Sequence, residues 1–155
     1  MSVLIFAWGN PSRGDDALGP ALVERIGAAL PAHPEWGELA LLTDFQLQPE
    51  HALDLVGHGR VLFVDAGVSC ATPFAFDRLQ PAPGFGYTTH TMHPQALLAV
   101  YRQVTGREPP LAWLLTIRGH AFVLGEPIGT EAQAHLEAAA AFVASFLSGD
   151  WQRPD

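Results

Sequence analysis

Four aspartates stand at the points where apolar runs stop. Val3-Leu4-Ile5-Phe6-Ala7-Trp8 ends at Gly9-Asn10-Pro11 and leads to Asp15 and Asp16; Leu39–Thr43 leads directly to Asp44; Arg60-Val61-Leu62-Phe63-Val64 finishes in Asp65. Short runs that are apolar throughout and closed by turn residues predict buried parallel strands. Parallel strands would deliver these acids to one edge of one sheet. Carboxylates gathered there repel each other, so the arrangement is costly unless a cation or shared protons compensate; a helix N-terminus near Asp16 offsets part of the cost for one of them. Asp65 is the sharpest candidate, because a carboxylate finishing a wholly apolar strand has little structural purpose. Asp15 reads first as a helix cap or turn acid. For Asp16 and Asp44 a capping role and a chemical role both stand.

Imidazole enters through Thr88-Thr89-His90-Thr91-Met92-His93-Pro94, where two histidines lie three residues apart in a long loop at the mouth of a helix. Two carboxylates and an imidazole suit a borderline divalent ion such as nickel or zinc. His93 occupies the position of a helix N-cap, and His120 in Arg118-Gly119-His120-Ala121 is ambiguous. His33, His51, His58 and His135 fall on expected surface turns or helices.

Other chemistries are poorly served. All eight basic residues are arginine, which excludes a phosphate-cradling P-loop lysine and a Schiff-base lysine. A net charge of −8 without basic runs argues against nucleic-acid binding, since phosphates would go unneutralised. One cysteine, Cys70, allows neither an internal disulfide nor a thiolate cluster and suits a reducing compartment. It has no elbow or helix terminus to activate it. GxGxxG and GxSxG are both missing. No run approaches membrane-spanning length, and the apolar start lacks the basic region of a signal peptide. A cytoplasmic location is expected.

The elements that must position these groups follow from spacing. After the loop Gly9–Gly14, apolar residues at Ala17, Leu18, Ala21, Leu22 and Ile26 predict a helix N-capped by Asp15 or Asp16 and ended by Pro31 and Pro34. A short helix is expected after Pro49. Pro73–Arg78 alternates enough for a short strand, antiparallel to its predecessor. Residues Leu79–His93 form a long loop, and a loop of that length in a compact domain is usually functional. Pro94 opens a helix to about Thr105, capped by Gly106; Leu111–Ile117 is a strand; Thr130 and Gln133 form a capping box for a last helix with the stripe Leu136, Ala140, Val143 and Leu147. Residues 1–155 then make a single domain with a loose tail after about residue 149. Its fold class is α/β: a three-layer α/β/α arrangement with a largely parallel central sheet and helices on both faces. In such sheets ligands collect beyond the carboxyl ends of the strands.

Taken in order, these segments resemble the hydrogenase maturation endopeptidases. Gly9-Asn10-Pro11-Ser12-Arg13-Gly14-Asp15-Asp16-Ala17-Leu18-Gly19-Pro20 resembles the family's opening glycine–asparagine and acidic signature, with Ala7 standing where many members have glycine. Phe45-Gln46-Leu47-Gln48-Pro49-Glu50, Val61–Ala66 and Thr89-His90-Thr91-Met92-His93-Pro94-Gln95-Ala96-Leu97-Leu98 resemble further family segments. The resemblance implies an endopeptidase that removes the C-terminal extension of a nickel–iron hydrogenase large-subunit precursor. It places catalytic and nickel-contacting roles on Asp16, Asp65 and His90, with Asp44 as a further acid near the site. It also implies that the nickel arrives bound to the precursor, so that no permanently bound cofactor is expected; the segments lean towards the soluble, cofactor-reducing class of hydrogenase. The rival reading is a non-catalytic nickel-binding chaperone on a flavodoxin-like fold, for which three ligands without a thiolate make a weak resting site.

Overall fold

A computed structural model describes residues 2–82 and 92–149. His90, most of the long loop and the tail after residue 149 lie outside the described residues. The elements are β1 (Val3–Trp8), α1 (Leu18–Ala29), β2 (Leu39–Asp44), β3 (Arg60–Gly67), β4 (Phe74–Leu79), α2 (Pro94–Thr105), β5 (Leu111–Arg118) and α3 (Thr130–Ser148). A 3₁₀ turn at Gly14–Ala17 leads into α1, and a longer 3₁₀ segment, Pro49–Leu55, replaces the short helix expected after Pro49.

The strands form one sheet in the order β2-β1-β3-β5-β4. The first four positions are parallel, and β4 runs antiparallel to β5 at the edge. The apolar strands are uniform because each feeds two cores. Val3, Ile5 and Ala7 of β1 pack with α1 and α3, whereas Leu4, Phe6 and Trp8 pack with α2 and the Pro49–Leu55 segment. Burying each large side chain contributes about 1.5–3 kcal/mol, and both faces of the sheet gain it. The α/β/α layering is therefore as expected.

Three local expectations fail. The strand at Phe74–Leu79 opposes β3 in direction but pairs with β5, which inserts between them; a brief link favoured neighbours, but the later strand covers the open edge of β3. Neither Asp15 nor Asp16 caps α1, whose start is continuous with the 3₁₀ turn and has no side-chain cap. Nor do Thr130 and Gln133 form a capping box. Thr130 is already inside α3, Gly129 holds the N-cap position, and the Gln133 amide donates to the Gly129 carbonyl at 2.8 Å.

Candidate active site

Register brings the strand-end groups into one row. Trp8 lies opposite Asp44 across β1 and β2, and Ala7 lies opposite Val64 across β1 and β3, so Asp65 stands level with Trp8. Parity sets their common face. Trp8, Asp44 and Asp65 alternate in step with Phe6, Leu42 and Phe63, which pack on the α2 side. Because α2 returns to the start of β5, its own N-terminus lies at the carboxyl edge of the sheet. His93 holds the N-cap position there, exposed and without a side-chain cap bond.

Asp65 is the electrostatic centre of the edge. Its Oδ1 accepts the amide N–H of Ala66 at 2.8 Å, and the Trp8 indole donates to the same carboxyl group. Burial pushes the Asp65 carboxyl up to about 7; the Ala66 amide opposes this, the negative charge of Asp16 adds to it, and the Trp8 indole opposes it again. Burial wins because a desolvated carboxylate costs more than two donors return.

Asp16 reaches the edge from the loop after β1. Its Oδ2 accepts the Asn10 amide at 2.8 Å. The close approach requires Gly9: its φ is +147°, and a Cβ there would lie 2.0 Å from the Asp16 carbonyl oxygen. Gly19 then lets α1 pass close to the ends of β1 and β3, where a Cβ would lie 3.0 Å from the Trp8 carbonyl and 3.2 Å from that of Val64. Asp16 and Asp65 are thus brought together as expected. Among the described residues no group of three or more His, Cys, Asp or Glu side chains is arranged to hold a metal ion; the third residue of the expected set, His90, is outside them.

Asp15, one residue away, has a different task. It is 1% exposed. Its carboxylate accepts three backbone amides, from His120 at 2.7 Å, Ala121 at 3.0 Å and Gly129 at 2.8 Å. Burial pushes its pKa up, but those three amides and the nearby His120 more than reverse the effect, so it ends below the ordinary carboxylate range. The structural reading of Asp15 holds, although as a clasp between distant loops and not as a helix cap.

Asp44 is exposed and anchored. Its Oδ1 accepts the Phe45 amide at 2.7 Å, and its Oδ2 lies 2.9 Å from His51 Nε2. The Phe45 amide and then His51 hold its pKa down. His51 is not the surface histidine expected from the sequence: it is only 7% exposed and meets Phe6 edge-on with ring centroids 4.7 Å apart. Its Nδ1 accepts the Gln48 amide at 2.9 Å, so Nε2 carries the proton and donates to Asp44. The spacing Gln48-Pro49-Glu50-His51, a capping box with histidine in the third helical position, was the available signal.

The remaining candidates separate cleanly. Burial pushes the Cys70 thiol up despite the nearby Arg118 guanidinium, the reverse of an activated nucleophile. Arg118 Nη1 donates to the Cys70 carbonyl at 2.6 Å and fixes the turn after β3. His135 Nδ1 lies 3.1 Å from the Arg118 carbonyl, and His120 Nε2 lies 3.7 Å from Glu131 at the start of α3.

No family model matches the sequence, and a comparison with curated proteins finds no match. Solved structures do match, over nearly the whole chain. A nickel–iron hydrogenase maturation protease, HycI, from Thermococcus kodakarensis superposes with a TM-score of 0.72 at 20% identity, covering 96% of this chain and 93% of that one. The fold is that of the hydrogenase maturation endopeptidases. The hydrogenase maturating endopeptidase HybD from E. coli gives a TM-score of 0.69 at 19% identity, covering 94% and 92% of the two chains. With about a fifth of residues identical, what the two share with this chain is the layer order and the carboxyl edge on which Asp16 and Asp65 stand.

Proposed function

We propose that this protein is an endopeptidase that removes the C-terminal extension of a nickel–iron hydrogenase large-subunit precursor. The observation that carries the reading is the pairing of Asp16 with Asp65 at the carboxyl edge of this particular fold. Fold likeness alone carries no activity. The site adds two carboxylates in one field, one of them titrating near neutrality. A carboxyl group in that range can hold or accept a proton at neutral pH, as hydrolysis of a peptide bond requires. No activated serine or cysteine competes for the role.

The metal belongs to the substrate. Asp16, Asp65 and His90 offer two oxygens and one nitrogen, a set that completes the coordination of a borderline ion already held by a precursor's own ligands. Cleavage then reports that the precursor is loaded. Trp8 and Ala66 hold Asp65 in place, and Asn10 holds Asp16. The protein works in the cytoplasm, where precursors are made; among the described residues no helix is long and apolar enough to cross a membrane.

The test is incubation with nickel-loaded large-subunit precursor and mass spectrometry of its C-terminus. A shortened precursor with the parent protein, and an intact one with Asp65→Asn, is the expected result. An intact precursor in both reactions removes the reading.

A further inference from the structure

The loop that carries Asp16 is half of a two-stranded ribbon. Asp15 N–H donates to the Ala121 carbonyl at 2.9 Å, Gly14 N–H to Glu126 at 2.9 Å and Gly125 N–H to Ser12 at 2.7 Å. Arg13 and Leu124 form an antiparallel bridge, and Arg13 Nε donates to the Phe122 carbonyl at 3.2 Å. The Asp15 clasp fastens the base of this ribbon. Its tip nevertheless presents Val123 at 54% and Leu124 at 70% exposure, the latter the most exposed large apolar side chain among the described residues.

Isolated apolar residues on a surface need no explanation, but a contiguous apolar patch beside a site does. This pair is adjacent in sequence and held on a hydrogen-bonded frame, so its exposure is built into the fold. It also has company on the same edge. Phe45 directly follows β2 and Val68 directly follows β3, and both are exposed. All four lie beyond the carboxyl ends of the parallel strands, around the carboxylates.

We propose that Val123 and Leu124, with Phe45 and Val68 as flanking contacts, form the docking rim for the polypeptide of the precursor around its scissile bond. The inference rests on the endopeptidase reading and adds to it the surface that receives the chain. The occupant is identified by continuity: Leu124 is bridged to the loop of Asp16, so whatever seats on the tip lies alongside the residues that act. The edge also asks for a cation next to apolar side chains, because Asp16, Asp44 and Asp65 share it. A metal-bearing polypeptide supplies both; a second copy of this acidic chain supplies only the apolar part.

The experiment compares the parent with the double variant Val123→Ser/Leu124→Ser, and with Val104→Ser, an exposed apolar residue at the opposite edge, as control. The expected result is a fall of about tenfold or more in kcat/KM for precursor through KM, with kcat and melting temperature kept, and no effect of Val104→Ser. Binding of precursor to the Asp65→Asn protein, measured by calorimetry with and without the rim substitutions, reads docking without cleavage. Weakened binding supports the rim even if the parent cuts nothing, a result that would sink the activity alone. Unchanged kcat/KM or unchanged binding overturns the rim while the activity stands. Sedimentation covers the remaining occupant: a parental dimer that the double variant converts to monomer, with precursor binding unaffected, makes the tip a self-interface and overturns the proposal.

Discussion

Asp15 and Asp16 are neighbours with opposite consequences. Removing the Asp15 carboxylate leaves three buried backbone amides, those of His120, Ala121 and Gly129, without an acceptor. Each such loss costs about 1–3 kcal/mol, so Asp15→Ala should cost several kcal/mol and give a protein that melts early or does not accumulate. Asp16→Asn keeps the shape and loses only a charge; it should melt within a few degrees of the parent while precursor cleavage disappears. Parental cleavage by Asp16→Asn would end the case for the carboxylate pair. Asp65 adds a pH test. Its carboxyl titrates near 7 in the folded protein against 3.8 as an ordinary aspartate. Between those values the folded state keeps a proton that the unfolded state has released, so stability should fall as pH rises from about 4 to 7. Asp65→Asn should flatten that slope, melting close to the parent at pH 4 and several degrees higher at pH 8, a gain of about 1–3 kcal/mol. Equal melting curves for the two proteins at pH 8 would show that burial does not strain this carboxyl. Sequence showed Asp65 readily, because an acid at the end of a wholly apolar strand stands out. It did not show His51, whose partner Asp44 lies beyond a turn and whose burial depends on the ring of Phe6 from another strand.

At the scale of elements, the strands were legible and their edges were not. Val3–Trp8 and Arg60–Val64 are apolar on both faces because the sheet buries both, and that needs no knowledge of the partner. The partner decided the rest: β4 pairs with β5 and not with β3, and the amide of Gly129 is taken up by Asp15 from the far end of the chain, so local cap rules misassigned both ends of that contact. The glycine of the first loop is where element geometry meets the site. At Gly9 a side chain would strike the Asp16 carbonyl, and the backbone already lies at φ +147°. Gly9→Ala should therefore displace Asp16, abolish cleavage and lower stability by about 1–3 kcal/mol. Gly57→Ala is the matched control, since its φ is +88° with nothing within 4 Å of the added carbon. It should cost about 1 kcal/mol and leave cleavage intact. If the two variants behave alike, the tight approach of Gly9 to Asp16 has no bearing on the site.

For the whole molecule the question is whether it owns a metal or reads one. The edge gathers carboxylates around Asp65, and the expected donor set is Asp16, Asp65 and His90, with no thiolate among them. Hard oxygen donors with a single imidazole leave several positions of a nickel or zinc ion to water, whereas resident sites enclose the ion with four protein ligands or three and a fixed water. Ligands must also lose their protons to bind, and a carboxyl titrating near 7 gives the proton an advantage that the metal has to overcome. The free protein is therefore a poor metal holder, and a precursor that brings thiolates and nickel together supplies what the edge lacks. The protein purified without added metal should contain well under one nickel or zinc per chain by elemental analysis. Nickel-free precursor should remain uncut, and adding nickel to the protease before mixing should not rescue it once free ion is removed. Loading the precursor should restore cleavage. A stoichiometric ion that survives dialysis against a chelator, together with cleavage of metal-free precursor, would make this an ordinary metalloprotease with its ion in residence, and the reading of a substrate-borne metal would fall with that result.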